Sequence, residues 1–179
     1  MDRVDRERHF HDEQAAARAT SWSVDPQQLR FQDDEFLDHE TWVRPAWNRL
    51  GPLNGRRFLD YGCGHGMAAV VAARQGAVVT AMDLSHAYLR ETAERAKVNG
   101  VRVECIQADA HVLPFADASF DAIWGHAVLH HLDLHRAGRE LRRVMRRGGV
   151  AVFCEPWGGN PWLEFARKYL PYPGKDRTA

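Results

Sequence analysis

The chain has 179 residues, 45% of them hydrophobic and 27% charged, with a formal net charge of zero. That is the profile of one domain with a full core rather than two, without the basic excess of a nucleic-acid binder. No apolar run approaches the roughly 20 residues needed to cross a bilayer, so neither nucleic acid nor membrane is an expected partner.

The opening "MDRVDRERHF" is charged and has no apolar stretch of signal-peptide type. Cys63, Cys105 and Cys154 are too few and too widely spaced for a disulfide framework or a CxxC metal site. A reducing, cytoplasmic setting is therefore expected. Residues 1–55 read as a helical cap or lid, with eleven Asp/Glu against seven Arg in the first fifty positions. "RERHFHDEQAAARA" and "DDEFLDHETWVRPAWNRL" are predicted helices, the second with Asp33 or Asp34 as N-cap and interrupted or kinked at Pro45. "GPLNG" closes the region as a turn.

From residue 56 to 179 the pattern is that of a cofactor-binding core. "RRFLDYG" is a short strand and "GMAAVVAARQG" a helix stopped by Gly76; "AVVTAMDLS" is a buried strand. "HAYLRETAERAKVNG" is a helix with Leu89, Ala93 and Ala96 on one face and Gly100 as its stop. "VRVECIQADA" alternates as a strand, and "FDAIWGHAVLHHL" is a strand running into a turn. An arginine-rich helix over 134–147 follows, with Leu134, Ala137, Leu141 and Val144 as its apolar stripe and Gly148-Gly149 as its end. Its arginines then fall mainly on a solvated face. "VAVFCEP" is a fifth strand, and "NPWLEFARKYLP" a last helix with Asn160 as N-cap and Pro161 at the first position. Alternating strands and helices predict a doubly wound α/β, Rossmann-like sheet, mainly parallel, with helices on both faces.

In such sheets ligands bind at the carboxyl ends of the strands, which is where "LDYGCGHG" (59–66) stands. Its glycines permit tight turns and close approach of backbone to a ligand. The second strand ends in Asp83, placed to accept both hydroxyls of a ribose. A dinucleotide fingerprint needs G-x-G-x-x-G; here the third glycine is Gly66, one position early. Asp60, beside the loop, would repel a pyrophosphate and attract an ammonium or sulfonium. The ligand expected is a nucleoside carrying positive charge, and a nicotinamide oxidoreductase is disfavoured.

These residues resemble the class I S-adenosylmethionine-dependent methyltransferases. D-x-G-x-G-x-G follows strand one, an acidic residue ends strand two, and "ADA" ends strand three; "LPFADASFDAIWGHAVLHHL" and "LRRVMRRGGVAVFCEP" follow in register. The likeness is greatest to the small-molecule group of that family, and "EPWGGNPWLEFARKYLP" resembles a segment of a subset of it. The resemblance implies S-adenosyl-L-methionine as cofactor and a small-molecule acceptor. It implies that Asp60 and the loop Gly62, Cys63, Gly64 and Gly66 hold the methionine moiety and Asp83 the ribose. It further implies that Leu84 packs on the adenine, Asp109 and Ala110 meet its amino group and ring, and His126 touches the methionine end. Helix capping by Asp60, a turn role for Asp109 and core packing of Leu84 remain alternative readings.

Methyl transfer requires a general base only when the acceptor must lose a proton. His126, His130 and Glu155 are candidates, as are His9 and His11 from the cap. His126/His130 and His131/His135 are each four apart, yet they lie at a strand-to-helix junction, and no metal site is expected. Trp22, Trp42, Trp47, Trp157 and Trp162 read either as helix packing or as an aromatic lid. The family fold carries two more strands after the last helix, so the chain reads as lacking the final two. The bare edge of the fifth strand then invites a dimer, and an inactive, cofactor-binding partner subunit or a truncated fragment is the alternative function.

Overall fold

The computed structural model describes residues 3–155; the helix expected after Asn160, with Trp157 and Trp162, lies outside them. Five strands form one all-parallel sheet in the order β3-β2-β1-β4-β5. They are β1 (Arg57–Tyr61), β2 (Val78–Asp83), β3 (Val103–Gln107), β4 (Phe120–His126) and β5 (Met145–Cys154). Helices α4 (Met67–Arg74), α5 (His86–Val98) and α6 (Leu134–Val144) supply the crossovers, and α1 (Arg3–Trp22), α2 (Asp33–Leu37) and α3 (Val43–Trp47) precede β1. The order reverses between β1 and β4, which opens a crevice at their carboxyl ends.

Strand alternation assigns side chains to two cores. Phe58, Ala122 and Trp124 pack with α4, α3 and the loops before β1, whereas Leu59, Tyr61 and Ile123 pack with Val144 of α6 and with Leu113. Both faces of the central strands are therefore buried, the arrangement of a doubly wound sheet. Trp47 lies in the first core against Trp124, ring centroids 5.0 Å apart, and Trp22 is buried too. Those two tryptophans pack; Trp42 is 54% exposed.

Four local expectations need correction. The helix expected over 33–50 is two short helices, and the break at 38–42 precedes Pro45. Pro45 sits inside the first turn of α3, where a missing N–H leaves no bond unmade. The cap of α2 is Gln32, whose backbone N–H donates to Glu35 Oε1 at 2.7 Å. On α5, Ala93 is exposed while Glu91, Thr92 and Arg95 are buried. The Glu91 carboxylate holds Arg95 Nη2 at 2.8 Å and Arg18 Nη2 of α1 at 2.8 Å, which permits burial of charge on that face.

The fourth correction concerns α6. It ends at Val144, and Met145 already pairs with Phe120 in the sheet. The next pair is Ala122 with Val150, so β5 advances five residues against two on β4 and bulges there, with Gly148 at φ +80°. Leu134, first in the helix, is 60% exposed. Arg143 does not join a solvated face: its guanidinium donates to the carbonyls of Leu113 (2.9 Å) and Phe115 (2.6 Å), tying down the loop before β4.

Candidate functional site

The loop between β1 and α4 turns on glycines whose requirements differ. Gly66 has φ +79°, and a Cβ there would meet the Thr92 side chain at 2.5 Å. Gly64 has φ +50° with no atom within 4 Å of its Cβ position. Gly66 serves packing of the loop on α5; Gly64 leaves a smooth cradle for a ligand. The cradle is one wall of a cavity of about 350 Å³ at the carboxyl ends of the strands, within the range of small-molecule sites.

Asp60 stands at its floor, 2% exposed. Its carboxylate accepts from the backbone N–H of Ala69, capping α4, yet Oδ2 has no partner among the described residues. Burial pushes its pKa up to about 7 against the lowering effect of the Ala69 N–H, and Asp83 nearby adds to the rise. Capping and ligand binding are thus both open to the same group, one oxygen each. Asp83, at the end of β2, accepts from Gly64 N–H through Oδ2 and from Ser85 N–H through Oδ1, both at 2.9 Å. Burial raises its pKa against those bonds. Each carboxylate oxygen keeps a further lone pair for a ligand hydroxyl.

At the end of β3, Asp109 Oδ1 accepts from the backbone N–H of His111 (2.8 Å) and from its Nδ1 (2.7 Å). His111 Nε2 in turn accepts from the N–H of Asp133, the N-cap of α6, at 3.0 Å. Those contacts require the Nδ1–H tautomer and tie the 109–111 turn to α6. Asp109 is therefore a turn residue that also borders the cavity. The carbonyl of Ala110 accepts from the Tyr61 hydroxyl at 2.8 Å, so a fully buried tyrosine of β1 fixes the height of this wall. Tyr61 carries no motif signal and was not anticipated as a positioning residue.

Of the residues anticipated at the site, Asp60, Gly62, Cys63, Gly64, Asp83, Leu84, Asp109, Ala110 and His126 border one cavity. Gly66 does not. Burial, then the charges of Asp83 and Asp60, push the Cys63 thiol up, which makes it an inert wall rather than a nucleophile. His130 and Glu155 also stand off the cavity. Burial alone would raise the Glu155 pKa, but His130 Nδ1 at 2.8 Å and the backbone N–H groups of Val128, Leu129 and His130 hold it down. That carboxylate organises the turn after β4. His126 and His130 share no helical face, since one ends β4 and the other lies in the following turn.

Several walls come from residues without a motif. Phe36 and Trp124 give an apolar side, and His11 and Gln14 of α1 close over the opposite one; His9 does not border it. Helix α1 is fastened there by Asp12 to Ser85 Oγ and by Arg18 to Glu91. His65 borders the cavity as a neutral ring, its pKa lowered to about 4 by burial and then by Arg18 and Arg95. His126 is held down by burial and then by the His39 imidazole, and its Nε2 stands 3.9 Å from Glu40 Oε2.

Comparison with known proteins yields a consistent set of likenesses. The profile of a methyltransferase domain matches residues 59–153. The chain is 38% identical over 120 residues to the methyltransferase GfsG of Streptomyces halstedii, covering 65% of this chain and 43% of that protein. Among solved structures, an S-adenosylmethionine-dependent methyltransferase from Mesorhizobium loti superposes with a TM-score of 0.59 at 28% identity, over 65% of this chain and 54% of the other. The [4+2]-cyclase SpnF superposes with a TM-score of 0.59 at 31% identity, over 65% and 47%. The chain spans about half the length of the relatives it matches.

Proposed function

The chain belongs to the methyltransferase-domain family, and on that premise we propose that it transfers a methyl group from S-adenosylmethionine to a small-molecule acceptor. The observation that carries this reading is the half-satisfied Asp60 carboxylate, buried beside a glycine cradle and one strand away from Asp83. A buried carboxylate with a spare oxygen is costly unless a cation meets it, and the methionine end of the cofactor carries an ammonium and a sulfonium.

The donor set fits that cofactor. Asp60 and the amides of the 62–64 loop would hold its amino-acid end, Asp83 the ribose hydroxyls, and Leu84, Asp109 and Ala110 the base. When bound, the cofactor supplies a methyl group on an already activated sulfonium leaving group. The protein's share is alignment and exclusion of water. Phe36 and Trp124 wall the acceptor's side with apolar surface, and α1 covers the cofactor's side through His11 and Gln14. Of the five candidate bases, His126 and His11 border the cavity, and the lowered pKa of His126 leaves a nitrogen lone pair available at neutral pH.

An inactive, cofactor-binding subunit shares all of this except turnover. Among the described residues β5 pairs on one side only, with Ala151 exposed, and a second copy docked on that edge is part of that alternative. Sedimentation tests the dimer. Calorimetric titration with S-adenosylhomocysteine, with NADH as control, tests the cofactor: saturable binding of the former alone is the expected result, and binding of NADH instead would sink the reading. Multiple turnovers with any acceptor would remove the inactive-subunit alternative.

A further inference from the structure

We propose that His39, Glu40 and His126 form a binding site for a divalent transition-metal ion of the zinc type beside the acceptor's side of the cavity. One ligand atom from each lies within 4.8 Å of the others, and the His126 Nε2 to Glu40 Oε2 distance is 3.9 Å. Ligands sharing a tetrahedral zinc at about 2.0–2.2 Å stand roughly 3.3–3.6 Å apart, so closure needs side-chain shifts of about 1 Å. His39 and Glu40 can make them, because they lie in the break between α2 and α3 near the surface. His126 is fixed at the end of β4.

The ring of His39 is already oriented as metal-bound histidines usually are. Its Nδ1 lies 2.5 Å from the carbonyl of Phe36, to which it donates, leaving the Nε2 lone pair for a metal. The same ring stacks on Phe36 and tilts against His126, with centroids 5.7 and 5.5 Å away.

An ordinary ion pair does not account for the cluster. At 3.9 Å the His126–Glu40 contact is at the limit of one, and His39 stands against the same ring. Two imidazoles and one carboxylate are instead the donors of zinc and similar ions, whereas magnesium and calcium prefer all-oxygen shells. Three protein ligands leave a position open. Because His126 borders the cavity, that position would take an oxygen of the acceptor, a hydroxyl or carboxylate. This last role rests on the methyl-transfer reading; occupancy of the site by an ion does not.

The test uses the untagged chain, stripped with chelator and titrated with Co²⁺ by visible absorption and with Zn²⁺ by calorimetry. One equivalent should bind, with the intense visible bands of low-coordinate cobalt. Glu40→Gln and His39→Ala, both near the surface, and His126→Ala should each weaken uptake at least tenfold, judged from the sensitivity of such sites to loss of supporting groups. His135→Ala, at an exposed position of α6, should leave it unchanged. Absence of stoichiometric uptake, or uptake that survives in Glu40→Gln and His126→Ala alike, overturns the proposal. A parallel titration of the metal-free chain with S-adenosylhomocysteine separates the two readings: that ligand bound while neither ion binds removes the metal site alone, and an ion bound without that ligand upholds the site while removing the cofactor.

Discussion

The two sides of the cavity are built differently. The side proposed for the cofactor consists of three strand ends, β1 to β3, each with an aspartate at or just beyond its end, and each aspartate accepts from backbone N–H. The side proposed for the acceptor is assembled from side chains far apart in sequence: Phe36 and the 39–40 pair before the sheet, Trp124 and His126 at the end of β4. The polar contact that joins its two parts, Glu40 to His126, is between side chains and at 3.9 Å. The first is a preorganised cradle, which a shared ligand demands; the second can change with the acceptor without disturbing the sheet.

The largest effect expected on the braced side is that of Asp83→Ala. It removes a charged acceptor from the ribose hydroxyls and leaves the N–H groups of Gly64 and Ser85 unpaired, so affinity for S-adenosylhomocysteine should fall by about 1.5–3 kcal/mol, measured by calorimetry. Unchanged affinity would break the contrast at its strongest point. Two glycine variants sharpen it next. Gly66→Ala forces a Cβ onto Thr92 at a positive φ and should cost about 2–3 kcal/mol of stability in urea denaturation. Gly64→Ala keeps the strain without the clash, at about 1 kcal/mol, and its main loss should be affinity.

Asp60→Asn turns on pH. A carboxyl whose folded pKa is raised to about 7 binds more protons folded than unfolded, so its contribution to stability declines as pH rises from about 4 to 7. Asn removes that decline, and the ligand-free variant should melt higher than the parent at pH 8. Cofactor affinity should behave oppositely: in the parent it grows as pH rises through 7 and the carboxylate ionises, while in the variant it is weaker and flat. A parent profile without that rise would detach Asp60 from the ligand. The smallest effects belong to Cys63→Ala, an inert wall, and His130→Ala, off the cavity; each should alter affinity for S-adenosylhomocysteine less than about twofold, under 0.5 kcal/mol.

The same division governs what the sequence discloses. Strand-end aspartates and the glycine spacing are local signals, because strand, turn and helix follow one another within a few residues; Asp60, Asp83 and Asp109 are legible from "LDYGCGHG", "AMD" and "ADA". Glu40 beside His126 is not, because no local pattern states which loop before the sheet folds over which strand. Tyr61 is hidden for a related reason: its hydroxyl reaches Ala110 across two neighbouring strands, and from sequence it is one more apolar position in β1. The break at 38–42 was misplaced to Pro45 because proline is disruptive only beyond the first turn of a helix, and where that turn begins depends on packing. On α5 a charged face replaced the expected Ala93, since Glu91 and Arg95 become buriable only once Arg18 arrives from α1.

Arg18 has a kinetic consequence. Helix α1 covers the cavity while its Asp12 and Arg18 hold Ser85 and Glu91 of α5, the helix that begins just after Asp83. On the proposed reading a molecule held by Asp83 lies beside α1, whose His11 and Gln14 border the same cavity, so loosening that latch is expected to speed its exit. A contact of that kind acts on the rates of arrival and departure together, more than on how tightly a visitor is held.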